Sequence, residues 1–308
     1  MVLHFYGGAA FPKSITRTNL VFLPKKPRVE TFSDLRPIRL SNFINKVLSR
    51  VLHDRLDIFL PSLISPNQSG FVKGRSIFEN ILLTQEIITD IGLRGKLANV
   101  VIKLDMAKAY HRVSWKYLLH VLRKMGFSEH FINTVNLVSN NGSLNKLFED
   151  RSFVGFGMPK WSDPLNHLAY ADDTIIFAST YPPSLSKIMA VLGNYKKISG
   201  QMINKDKSSY YTYSKVPNGL CQAVGVITEF TRGKFPFTYL GCPIFYTRRR
   251  KEYYEDLIKK VKAKLHSWKG KLLSFGGNAT LISSVLRSMP VHMLSVLHPQ
   301  KKCPGASS

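Results

Sequence analysis

Acidic residues are scarce in this chain. Only 19 Asp and Glu stand against 44 Lys and Arg in 308 residues, a formal net charge of +25. That imbalance calls for a polyanionic partner, most simply nucleic acid held partly by counterion release. Cysteine is scarcer still. Cys221, Cys242 and Cys303 form no CxxC or Cys/His spacing, which excludes a disulfide framework and a zinc site and fits a reducing compartment. No apolar run reaches membrane-spanning length and no lone basic amphipathic anchor stands out, so no membrane partner is expected. Met1 to Phe11 lacks a basic stretch followed by an apolar core, so no secretory signal is expected and the location implied is intracellular, nucleus or cytoplasm. Internal repeats and low-complexity linkers are absent too, which leaves one body with subregions. With 44% hydrophobic residues the chain can bury a sizeable core.

What is present is led by two adjacent aspartates inside an apolar run, Leu168-Ala169-Tyr170-Ala171-Asp172-Asp173-Thr174-Ile175-Ile176-Phe177. The flanks are rich in β-formers, so the segment reads as two short strands with the acidic pair at or near the turn. Partly buried, two such carboxylates repel by roughly several kcal/mol. A hard divalent cation between them offsets that, and an all-oxygen site suits magnesium. The competing reading makes them turn or helix-capping residues. A third carboxylate, Asp105, ends another mostly apolar strand, Asn99-Val100-Val101-Ile102-Lys103-Leu104. If that strand neighbours the hairpin, three carboxylates meet at one sheet edge, the apparatus of metal-assisted phosphoryl transfer.

Around these strands the sequence alternates helix and turn signals. Asn19 to Pro24 and Arg36 to Arg39 read as strands, and Asn42 to Leu60 as a helix stopped by Pro61. Helices are expected over Ile77–Ile91, Val113–Met125 and Leu185–Ile198, with Gly92, Gly126 and Gly200 just past their ends. From Arg248 to Lys271 ten Lys or Arg accompany three acids. There Tyr254, Ile258, Val261, Leu265, Trp268 and Leu272 form one apolar face, read as core, and the opposite basic face could follow a phosphate backbone.

Asp105-Met106-Ala107-Lys108-Ala109-Tyr110 together with Tyr170-Ala171-Asp172-Asp173 resembles two motifs of reverse transcriptases. The resemblance is to the non-LTR (LINE-type) retrotransposon branch, plant-like in wording. It continues through Leu23-Pro24-Lys25-Lys26, Asp34-Leu35-Arg36-Pro37-Ile38 and Leu63-Ile64-Ser65-Pro66-Asn67-Gln68-Ser69-Gly70-Phe71. Gly200-Gln201-Met202-Ile203-Asn204-Lys205-Asp206-Lys207-Ser208 and Tyr239-Leu240-Gly241 follow in the family's order.

The resemblance implies an α+β right-hand polymerase fold. Its regions would be fingers-like over 17–96, an antiparallel-sheet palm over 97–246 and a basic helical thumb over 247–302. It implies RNA template, DNA primer and deoxynucleoside triphosphates as partners, and two Mg2+ ions (Mn2+ in their place) on Asp105 and Asp172, with Asp173 as auxiliary ligand. Lys25 and Arg36 match residues that grip the triphosphate, the lysine as a point charge and the arginine as a fork. Tyr110 matches an aromatic that excludes a 2′-hydroxyl, or is a core aromatic. Lys207 matches a lysine that protonates leaving pyrophosphate, or is an exposed turn lysine. Tyr239, Leu240 and Gly241 look like a primer-grip hairpin, and Gln68 to Gly74 like a template-lining stretch.

The resemblance breaks between the two acidic motifs. The family's Gln-Gly-Asp-Pro-Leu-Ser element and most of a long palm helix have no counterpart, so a few dozen residues are expected to be missing near Asn141/Gly142, leaving the palm incomplete. His111 stands where the family usually has Asp, and Ala107 where Ser is common. Two readings stay open: an RNA-directed DNA polymerase domain, and a decayed retroelement remnant that binds nucleic acid without catalysis. Impaired primer extension is expected of this copy.

Overall fold

A computed structural model describes residues 18–93, 97–107, 112–134, 153–158, 164–247, 250–255, 258–259 and 262–263. In chain order, strands β1 (Thr18–Pro24) and β2 (Leu35–Ser41) precede helices α1 (Phe43–Asp57), α2 (Leu60–Leu63) and α3 (Ile77–Thr89). Next come β3 (Asn99–Leu104), β4 (Met106–Ala107), α4 (Trp115–Lys124) and α5 (Glu129–Thr134). After them run β5 (His167–Tyr170), β6 (Asp173–Ser179), α6 (Pro182–Ser199), β7 (Met202–Ile203) and β8 (Ser209–Thr212). Helix α7 (Asn218–Thr228) and strands β9 (Thr231–Arg232), β10 (Phe237–Tyr239) and β11 (Cys242–Ile244) complete the set. Tyr110, the Asn141/Gly142 junction and most of the expected basic helix lie outside the described residues; Lys251–Tyr254 forms a short 3-10 turn.

Two compact units divide the chain, Met1–Ile64 with Trp115–Ser139 and Ser65–Ser114 with Asn140–Ser308. In the first, β1 and β2 pair antiparallel from Thr18↔Ser41 to Pro24↔Leu35. Helix α1 starts where Asn42 accepts a hydrogen bond from the Asn45 N–H at 2.8 Å, an ordinary Asn cap. The single expected helix from Asn42 to Leu60 is in fact two: α1 ends at Asp57 and Pro61 sits in the first turn of α2. Proline fits there because a first-turn N–H has no intrahelical partner to lose. Leu56, Leu122 and Ile132 form this unit's small core, with Leu52, Leu119, Phe127 and Phe131 packed around it.

In the second unit five strands form one sheet in the order β5-β6-β3-β8-β9. The pairings of β3, β5, β6 and β8 are antiparallel, as expected, and the two-residue β9 joins β8 in parallel. Strand β3 is central, and its near-continuous apolar run follows from burial on both faces. Val101, Ile175 and Phe177 face a cluster with Ile81 and Ile88 of α3 and with Phe237, Tyr239, Cys242 and Ile244. Val100, Ile102, Leu104, Ile176 and Ala178 face the other way, onto Leu185, Ile188 and Leu192 of α6 and Val224 of α7. Each fully buried aliphatic contributes about 1.5–3 kcal/mol, so the two-sided core holds β3 and β6 rigidly in register. Helix α6 ends on Gly200 at φ +76°, where an added Cβ would lie 2.7 Å from the Arg112 carbonyl oxygen. Only glycine fits that position.

Candidate active site

The sheet register brings the acidic residues together. Strand β3 pairs with β6 up to Leu104↔Thr174, and continuing that register by one residue sets Asp105 across from Asp173. Strands β5 and β6 close at Tyr170↔Asp173, leaving Ala171 and Asp172 as a two-residue hairpin turn. Ala171 takes a positive φ of 55°, the positive-φ first central residue of a primed hairpin turn. The acidic pair therefore straddles the turn, Asp172 in it and Asp173 opening β6.

Charge crowding follows from that geometry. Asp173 is half-buried, and its carboxyl is pushed above the ordinary aspartate range, first by burial and then by the neighbouring charge of Asp172 and, less strongly, Asp105. Lys103 acts against this as the nearby cation, while its Nζ donates to the Thr238 carbonyl at 2.7 Å. One lysine thus ties β10 to the acidic edge and moderates its field. Asp105 is held by its backbone: its N–H donates to Ser208 Oγ at 3.1 Å, and its carbonyl accepts from the Asn204 N–H at 2.8 Å.

The donor set is all carboxylate, which suits hard divalent cations, and a cation would relieve the crowding on Asp173. Among the described residues no group of three or more His, Cys, Asp or Glu is gathered closely enough to hold a metal ion. The three aspartates share an edge and a field without forming a closed ligand cage.

The other expected site residues fall into two sets. Lys25 and Arg36 belong to the first unit, at the same end of its hairpin, since Leu23 pairs with Arg36 and the Lys25 N–H donates to the Asp34 carbonyl at 2.8 Å. Asp34 organises that turn. Its Oδ2 accepts from the backbone of Glu30 and Thr31, Lys26 stands 3.0 Å from its Oδ1, and these contacts lower its pKa to about 2. In the second unit Lys207 is exposed in the turn before β8, one residue from the Ser208 that holds Asp105. Leu240 and Gly241 form the β10–β11 turn with φ of +47° and +82°, both positive as a type I′ turn requires. Tyr239 is wholly buried in the core beneath that turn. Gln68 is buried as well and spends its side chain on the acidic hairpin; Phe71, three residues on, is 83% exposed at φ +61°. Ser208, Asn204, Asn80 and Lys103 were not singled out by sequence reasoning. Their contacts with the acidic edge cross long sequence separations and leave no local pattern.

Residues 23–244 match the reverse transcriptase (RNA-dependent DNA polymerase) family, so the chain belongs to that family. With its α+β architecture and acid-edged sheet it has the right-hand polymerase fold, on the LINE-type branch that its motifs resemble. A 149 kDa protein of transposon TX1 from Xenopus laevis is 26% identical over 331 residues, covering 94% of this chain and 25% of that protein. The Pol polyprotein of the type-1 retrotransposable element R2 from Popillia japonica is 24% identical over 278 residues, covering 76% of this chain and 38% of its own length. The chain thus spans well under half of either relative. Since 94% of 308 residues is about 290, about forty of the 331 aligned positions have no counterpart in this chain, and the second alignment shows a similar excess. Among solved structures, a Candida albicans telomerase in complex with a telomeric RNA fragment is similar at TM-score 0.39 and 13% identity over 96% of this chain and 58% of that one, too weak to carry an argument. Among the described residues no helix is long and apolar enough to cross a membrane.

Proposed function

We propose that this chain is an RNA-directed DNA polymerase domain of a LINE-type retroelement, with Asp105, Asp172 and Asp173 as its catalytic acids. The observation that carries the reading is the β3–β6 register, which sets Asp105 across from Asp173 beside the hairpin turn of Asp172. Asp105 and Asp172 would hold two divalent ions, magnesium or manganese, with Asp173 as auxiliary ligand. Bound there, such ions lower the pKa of a primer 3′-hydroxyl and neutralise the triphosphate. Lys25 and Arg36 grip the deoxynucleoside triphosphate, Tyr110 excludes a 2′-hydroxyl, and Lys207 supplies a proton to the leaving pyrophosphate.

RNA template and DNA primer are the polyanions that the charge of +25 is built to hold. The turn Leu240-Gly241, seated on buried Tyr239, supports the primer end. The Gln68–Gly74 stretch faces the template, where exposed Phe71 offers a stacking surface. Functionally, 17–96 act as fingers, 97–246 as palm and 247–302 as thumb. The nucleus or the cytoplasm is where these partners meet the chain.

A remnant that binds nucleic acid without extending a primer is the second reading. It is favoured by the positions that the relatives carry and this chain does not. Loss of palm packing is costly to catalysis, because a displacement of about 1 Å can slow a positioned reaction on the order of a hundredfold. The polymerase reading therefore expects slow extension. The assay is extension of a DNA primer on an RNA template with Mg2+, against Asp172→Asn. Synthesis lost in that variant supports the polymerase. Hybrid binding with no synthesis in either chain establishes the remnant.

A further inference from the structure

The acidic turn has a weakness that the sheet ladder does not repair. Ala171 sits at φ +55°, a region that disfavours residues with a Cβ by about 1–2 kcal/mol. As a turn residue it also has its N–H and C=O outside the β5–β6 pairing, which ends at Tyr170↔Asp173. Both groups are met by one side chain from 103 residues away. Gln68 Oε1 accepts from the Ala171 N–H at 3.0 Å, and Gln68 Nε2 donates to the Ala171 carbonyl at 3.2 Å. The same Oε1 accepts from the Gly70 N–H at 2.9 Å, which fixes the carboxamide plane.

The frame behind Gln68 is built for this contact. The Ser69 N–H donates to the Ala169 carbonyl at 3.0 Å, and the Ala169 N–H to the Asn67 carbonyl at 2.7 Å, so Asn67–Ser69 flanks β5 as an added parallel bridge. Asn80 Nδ2 also donates to the Ala169 carbonyl, at 2.9 Å, while its Oδ1 accepts from Ser69 Oγ at 2.8 Å. Arg75 Nη1 donates to the Ser65 and Gln68 carbonyls, each at 2.5 Å. Close approach is obligatory: a Cβ at Gly70 would lie 2.4 Å from the Ala171 nitrogen.

We propose that Gln68 is a positioning residue, whose carboxamide clamps the Ala171 peptide and so sets Asp172 and Asp173 relative to Asp105. Its consequence for cation binding rests on the metal reading of the aspartates; the clamp itself does not. Gln68→Met keeps the bulk and loses all three hydrogen bonds. Gln68→Glu keeps an acceptor for the Ala171 and Gly70 N–H groups but sets a carboxylate oxygen against the Ala171 carbonyl and adds a negative charge beside the acidic pair.

Two measurements on the full chain test it, both independent of polymerisation. The first is amide exchange at Ala171 relative to the sheet-core amide of Ile176, so that a change in global stability cancels. Gln68→Met is expected to speed the Ala171 amide at least tenfold on that ratio, and Gln68→Glu to speed it less, since the acceptor for that amide remains. The second is Mn2+ binding followed by electron paramagnetic resonance, expected to be about tenfold weaker in Gln68→Met and lost in Asp172→Asn. An Ala171-to-Ile176 ratio unchanged in Gln68→Met overturns the clamp. Mn2+ affinity unchanged in Gln68→Met but lost in Asp172→Asn overturns the positioning role. If Asp172→Asn binds Mn2+ as the parent does, the metal reading has failed, and the exchange ratio alone decides the clamp.

Discussion

Acidification should release the acidic hairpin through His167, the first residue of β5. Its side chain is wholly buried, and burial lowers its pKa from an ordinary 6.5 to about 4. Nδ1 lies 2.6 Å from Asn166 Oδ1 and 3.4 Å from Asn67 Nδ2; the shorter contact favours the proton on Nδ1, and among the described residues Nε2 has no hydrogen-bond partner. A bare Nε2 lone pair is tolerable in an apolar setting; a second N–H carrying charge is not. A histidine depressed in the folded state contributes stability that is complete above its unfolded pKa. That stability is lost as pH falls from 6.5 through about 4, because the unfolded chain binds the proton first. At 1.36 kcal/mol per unit the full window amounts to about 3 kcal/mol, a large share of an ordinary domain's stability. Urea unfolding at pH steps between 7 and 4 measures it, with His167→Asn as the non-titrating comparison that keeps a polar group near Nδ1. The parent midpoint should fall more steeply than the variant's across that window. Parallel profiles would refute the reasoning.

Asp172→Asn should stabilise the cation-free chain by on the order of 1 kcal/mol, after solvent screening of the repulsion with Asp173, and a melt in chelator that shows destabilisation instead would remove the crowding argument. Phe71→Ala should weaken binding of single-stranded RNA by about 1–3 kcal/mol with little change in melting temperature, since the ring is 83% exposed. Unchanged affinity in that variant would take Phe71 out of the template path. Affinity for an RNA–DNA hybrid should fall steeply and log-linearly with salt; a flat titration would mean that the charge of +25 does not meet phosphates.

Much of the second unit was legible because its strands obey a simple rule. Asn99–Leu104 and Asp173–Ser179 are near-continuous apolar runs, as strands covered on both faces must be; the first was read to the residue, and the second as the part of the Leu168–Phe177 run after the acidic pair. The turn between β5 and β6 was legible for the same reason: two carboxylates interrupt a run that otherwise has no polar break. Glycines after α4 and α6 marked the helix ends, at φ +86° for Gly126 and +76° for Gly200. Pro61 misled, because proline suits a first turn as well as it opposes an interior one. Gln68 was singled out for its motif, yet its hydrogen bonds to Ala171 span 103 residues and no periodicity reports such a contact. Tyr239 was singled out as part of a grip-like hairpin; the hairpin is there, and the burial of the Tyr239 ring in the core beneath its turn was not legible from the three-residue string.

Several unfavourable features of this unit lie at the acidic edge and in the turns near it, while Glu229 holds positive φ elsewhere, at the end of α7. Ala171 and Leu240 hold positive φ, Phe71 does so while exposed, and Asp173 is half-buried among like charges. None of these helps the fold, and each costs on the order of 1 kcal/mol or more. They persist because the sheet beneath them is over-determined: β3 and β6 are buried on both faces by α3, α6 and α7, Gln68 and Arg75 tie the turn to the chain before α3, and Asn80 ties β5 to α3 itself. Replacing Ala171 by glycine or Asp172 by asparagine would remove a cost, so the turn is held against its own local preference. The Tyr-Ala-Asp-Asp turn, its clamp and its crowded charges are all still in place. What holds the turn is the side-chain frame of Gln68, Asn80 and Arg75, so removing that frame should disturb the acidic edge before the sheet beneath it.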